Sequence, residues 1–82
     1  MHGGIPMVTA YVLLTVKPGG ESKVADKLTK MHGVKDVNVV YGEYDIIAKI
    51  EKTSMEELQN FLIKEIRGMD EIERTSTMIS LK

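Results

Sequence analysis

Every second residue from Val8 to Val16 is apolar, so Val8, Ala10, Val12, Leu14 and Val16 line one side of an extended chain. A run with period 2 cannot be a helix. The rest of the chain therefore has to supply a partner strand and a cover for that apolar side. Pro18-Gly19-Gly20 ends the run and turns the chain. Past it the period changes: Val24, Ala25, Leu28 and Met31 form one helical stripe, with Lys23, Asp26, Lys27 and Lys30 around the rest and Gly33 as a stop.

The pattern then repeats with one strand more. Val34–Tyr41 and Tyr44–Glu51 read as strands joined by Gly42-Glu43. Ser54 and Glu57 form a capping box that opens a second helix. Met55, Leu58, Phe61, Leu62, Ile66 and Met69 make its buried stripe, and Gly68 is its expected terminator. A last strand runs from Ile72 to Leu81. The order β-α-β-β-α-β predicts an α+β fold of the ferredoxin-like kind, a four-stranded antiparallel sheet with two helices on one face. Right-handed crossovers give the spatial strand order 4-1-3-2. The fold is expected over 7–82, and residues 1–6 (MHGGIP) read as a flexible arm or an expression remnant.

A Gly-X loop suits a two-residue type II′ turn, with Gly42 at the position that needs positive φ. That register sets Tyr41 opposite Tyr44, Val39 opposite Ile46 and Val37 opposite Ala48, all expected under the helices. On the reverse face Val40 opposes Asp45, Asn38 opposes Ile47 and Asp36 opposes Lys49, the last an opposite-charge pair. Asp45 is thereby sent to the helix-free side. Tyr11 and Leu13 join Val40 and Ile47 there in an apolar patch, which predicts a homodimer packed sheet to sheet.

The 82 residues suffice for one domain with a thin core, which an oligomer would reinforce. Eleven basic and 12 acidic residues leave a formal charge of −1, without the positive field that drives nucleic-acid binding. The chain has no cysteine, so disulfides, thiolate metal sites and a Cys nucleophile are excluded. His2 and His32 are not at metal-ligand spacing. No apolar run approaches the roughly 20 residues that span a bilayer, and no signal peptide is evident. A cytoplasmic protein without cofactor, metal or membrane partner is the expectation.

Neither a nucleophile beside a histidine nor a phosphate-binding glycine loop is present, so catalysis finds little support. Binding chemistry is better represented. The Asp45 carboxylate lies beside a turn whose backbone groups are not all used in the ladder. It can take an ammonium group, or it can serve local backbone N–H groups as an ordinary turn aspartate. Thr75, Ser76 and Thr77 offer hydroxyls on the last strand, or simply suit a strand.

These segments also resemble a known family. HGVKDVNVVYGEYD, GEYDIIAKI, TSMEELQNFLIKEI and the closing ERTSTMISL resemble the C-terminal effector-binding domain of the Lrp/AsnC regulators, the RAM domain, over nearly all of 7–82. The resemblance implies a ferredoxin-like fold, dimers through the sheets, larger rings of dimers and amino-acid effectors bound between dimers. It implies an effector site at Gly42, Tyr44 and Asp45 of the G-x-Y-D turn, with Thr75 and Thr77 of the last strand. Glu43 fills the variable position, where it would tune specificity. Full-length family members carry an N-terminal helix-turn-helix, and here only about six residues precede the first strand, which reads as Met7–Lys17. The chain thus reads as a stand-alone RAM module, or an excised fragment, that co-assembles with full-length Lrp/AsnC proteins without binding DNA itself. Two other readings share the fold: a small dimeric α/β-barrel enzyme and an ACT-like amino-acid sensor. The first expects a His or Arg in a pocket between helices and sheet, and the second reads its ligand at a different loop.

Overall fold

The computed structural model describes residues 7–81; the predicted arm at 1–6 lies outside them. Strand β1 (Val8–Val16) is followed by helix α1 (Glu21–Thr29), strands β2 (Val34–Val39) and β3 (Ile46–Lys52), helix α2 (Met55–Phe61), a π-helical turn at Leu62–Ile66, and strand β4 (Ile72–Ile79). The antiparallel sheet has the order β2-β3-β1-β4, the predicted 4-1-3-2 read from its other edge.

Alternation in β1 decides what is buried. Ala10, Val12, Leu14 and Val16 meet Ile46, Ala48 and Ile50 of β3 on one face. Val24 and Leu28 of α1, Leu58 and Phe61 of α2, then Ile66 and Met69 close over them as a single core. Each fully buried aliphatic side chain contributes about 1.5–3 kcal/mol relative to exposure, so this one layer carries the fold.

Helix α2 starts at the predicted N-cap, where the Glu57 N–H donates to Ser54 Oγ at 3.1 Å, but only this half of the expected capping box forms. The Glu57 carboxylate accepts from the Thr53 hydroxyl at 2.8 Å, and that bond holds its pKa below the usual carboxylate value. The helix runs on without a break to Ile66, close to the expected end at Gly68, but its last turn is π-helical. There the Arg67 N–H donates to Leu62 O at 3.0 Å, a bond spanning five residues. The wider turn adds one residue and brings Ile66 to the place that Glu65 would hold in an unbroken α-helix. Ile66 is buried. Gly68 does not take a positive φ, so it is not a left-handed terminator. Gly33, beyond α1, does: its φ is +89°, and a Cβ there would sit 2.7 Å from Glu51 O.

Between β2 and β3 the predicted pairs form from Asp36–Lys49 to Val39–Ile46. The hairpin end differs. The ladder closes with Val40 N–H donating to Asp45 O at 2.8 Å, leaving Tyr41–Tyr44 as a four-residue loop in place of a two-residue turn. Gly42 has φ +150°, far from the value a type II′ turn requires. Tyr41 is fully exposed, Val39 is 56% exposed, and Tyr44 is only half-buried, so neither tyrosine joins the core. Asp36 and Lys49 are opposite each other without forming an ion pair. Lys49 reaches Glu51 at 4.0 Å, and Asp36 accepts from Asn38 at 3.2 Å.

Candidate ligand-binding site

Three groups of expected site residues can be located. At the hairpin, Gly42 and Glu43 are exposed in the loop, with Tyr44 half-buried behind them. Asp45 is fixed from two directions. Its N–H donates to Leu14 O at 2.8 Å, and its Oδ2 accepts from Val16 N–H at 2.8 Å. The chain leaves the β1 ladder at this point, and the carboxylate supplies the acceptor that a strand carbonyl would otherwise give. Of the two readings left open for Asp45, serving a backbone N–H is the one this geometry displays. The amide it serves is 29 positions away, not local.

Thr75 and Thr77 pair with Leu14 and Val12 and therefore lie on the helix side of β4. Both remain exposed, because α1 packs chiefly on β2 and α2 on β3, leaving β4 little covered. Asp45 and Thr75 flank Leu14 from opposite sides. One strand separates them, so their backbones stand about 10 Å apart, twice the usual strand spacing. A single copy of the chain does not bring the turn and the threonines together.

The third group lies on the open face. Leu13 and Ile47 are direct partners, and Tyr11 lies one row along. Val40, Leu13 and Ile47 are half-buried, while Tyr11 is 38% exposed. Met78, opposite Tyr11 and 54% exposed, extends the patch. Sequence reasoning missed Met78, because the face it occupies depends on the β1–β4 register, shifted by an irregularity at Thr15–Val16.

Also unanticipated is a groove of ≈ 310 Å³ beside β4. Gln59, Leu62, Ile63, Ile66 and Arg67 form its wall, and Thr75 and Thr77 its floor. Among the described residues, no group of three or more His, Cys, Asp or Glu is placed to hold a metal ion. No helix among them is long and apolar enough to cross a membrane.

A ferredoxin-like sheet with its helices on one face, an apolar patch on the other and a G-x-Y-D loop at the hairpin end place the chain in a class of small α+β domains. Residues 9–82 match the family model described as the Lrp/AsnC ligand binding domain. The chain belongs to the Lrp/AsnC family. It is 40% identical over 75 residues to the HTH-type transcriptional regulator FL11 of Pyrococcus furiosus, an alignment covering 92% of this chain and 49% of that regulator. The chain thus spans about half the length of the regulators it matches. Among solved structures, the hypothetical protein PHS023 from Pyrococcus horikoshii superposes with a TM-score of 0.88 at 45% identity, covering 92% of this chain and 90% of that one. E. coli AsnC superposes at 0.86 with 29% identity, covering 92% and 51%.

Proposed function

We propose that this Lrp/AsnC ligand-binding domain binds a small amino-acid effector at an interface between copies of itself, and that it is not an enzyme. It forms a homodimer through the open sheet face, centred on Tyr11, Leu13, Val40 and Ile47, and the dimers build larger assemblies. The effector is held by Gly42, Glu43, Tyr44 and Asp45 of one copy with Thr75 and Thr77 of another, since one copy keeps the two groups a strand apart. In the cytoplasm it modulates transcription or amino-acid metabolism by joining Lrp/AsnC regulators, without contacting DNA itself.

The observation that carries this reading is the family match across almost the whole chain. The contiguous apolar patch on the open face supports it, because a solvated sheet face normally alternates with polar residues. A thermal-shift screen of the twenty amino acids tests it. One or a few should raise the melting temperature in a concentration-dependent way, and Asp45→Asn should reduce that shift. A screen with no hit would refute the effector. Light scattering that finds a monomer at micromolar concentration would refute the interface.

A further inference from the structure

We infer that the groove between the π-helical turn and β4 binds a short branched aliphatic 2-oxo acid, with Arg67 as the anchor for its carboxylate. The inference goes beyond the effector reading. It shares Thr75 and Thr77 with that reading, does not use Asp45, and stands or falls separately.

The groove has three chemical parts. Leu62, Ile63 and Ile66 give an apolar wall, and Ile63 is 60% exposed. Gln59, Thr75 and Thr77 contribute an amide and two hydroxyls, each able to donate to an oxygen. Arg67 contributes the one charge in the lining. No ion pair or side-chain hydrogen bond engages any of these four polar groups within the described chain. At ≈ 310 Å³ the space is at the small end of ligand sites and fits a molecule of amino-acid size.

The end of the second helix sets the apolar wall and the cation side by side. Ile63 and Arg67, four residues apart, both line the groove, and the Arg67 N–H donates to Leu62 O. A guanidinium next to an apolar wall matches a carboxylate with a hydrocarbon tail, which it can grip through two parallel N–H···O bonds.

What the lining lacks selects between acids. It contains no Asp or Glu. The ammonium of an amino acid, fixed one carbon from a carboxylate on Arg67, would face that guanidinium with only neutral oxygens to accept from it. A 2-oxo group puts a carbonyl oxygen at the same place. Such an oxygen accepts from a threonine hydroxyl or the Gln59 amide and carries no opposing charge. The lining therefore favours the oxo acid over the amino acid of the same skeleton.

The test is titration of ¹⁵N-labelled protein with 4-methyl-2-oxopentanoate and, separately, with leucine, read by amide shifts and by calorimetry. The oxo acid should bind saturably, move the amides of Ile63, Arg67, Thr75 and Thr77, and bind about tenfold or more tightly than leucine. Arg67→Gln should weaken it by about tenfold or more, while Arg67→Lys should retain part of the affinity. Absence of saturable binding, equal or tighter binding of leucine, or indifference to Arg67→Gln overturns the proposal. An amino-acid hit that depends on Asp45, with no oxo-acid binding, sinks the groove and leaves the effector reading standing. Oxo-acid binding through Arg67 with no amino-acid hit does the reverse.

Discussion

The two β-α-β halves share a topology and a core but cover their outer strands differently. In the first, α1 packs onto β2, where Val34 and Val37 face it, and Gly33 lets the chain turn hard against Glu51. In the second, α2 leans toward β3, the helix widens into a π turn, and β4 shows Thr75 and Thr77 where β2 shows valines. A strand whose inward positions carry hydroxyls gives a helix little reason to lie on it, and a groove is left. The same unit, used twice, therefore yields one closed side and one open side.

Substitutions can break or sharpen that contrast. The largest effect is expected at Leu28, fully buried beneath α1. Leu28→Ala should cost about 2–5 kcal/mol in urea unfolding, whereas Leu62→Ala on the half-buried groove wall should cost less than about 2 kcal/mol. Equal costs would mean that the second half is as tightly closed as the first. Next comes Gly33→Ala, which combines a positive φ with a backbone clash and should destabilise by about 1–3 kcal/mol.

A smaller effect is expected where the halves meet, at Glu71. Its Oε2 lies 2.9 Å from Lys23 Nζ, and its Oε1, buried and without a hydrogen bond, lies 3.8 Å from Lys27 Nζ. The hydrogen bond from Lys23 leads the causes that hold its carboxyl below the usual range. A depressed folded pKa stabilises above the unfolded value, and that contribution disappears as pH falls through the folded one. Glu71→Gln should therefore lower the melting temperature slightly at neutral pH and converge with the wild type in acid, which flattens the acid limb of the profile. An unchanged acid limb would remove Glu71 as the joint between the halves. The smallest effect belongs to Thr77→Val, expected within about 0.5 kcal/mol of wild type. A large loss there would show that the open side has a packing role after all.

Much of the first half was legible because its signals are local. Period 2 in β1 and period 3.6 in α1 name both the element and its buried face. The Asp36–Lys49 to Val39–Ile46 register was legible too, because a two-residue turn at Gly42-Glu43 and the four-residue loop closed by Val40 and Asp45 give the same pairing. The hairpin tip was not. Gly42-Glu43 alone suits a two-residue turn, but Asp45 bonds to both Leu14 and Val16, and that distant contact outweighs the local preference. The π turn was equally hidden, because Leu62, Ile66 and Met69 satisfy an ordinary helical stripe. Only the choice between Ile66 and Glu65 for the core reveals the extra residue. Arg67 escaped notice for the same reason: beside Gly68 it reads as a cation at a helix end. The threonines were visible as hydroxyl donors, yet the face they occupy is set by pairing with β1.

The carboxylate that finishes the edge of β1 also provides a gauge. Val16 N–H donates to Asp45 Oδ2, so the exchange rate of that one amide with solvent deuterium reports whether the acid is at home. An effector ammonium drawing Asp45 toward itself would speed exchange at Val16 and leave the amides deep in the sheet protected. Occupancy of the loop could then be followed at a residue the ligand never touches.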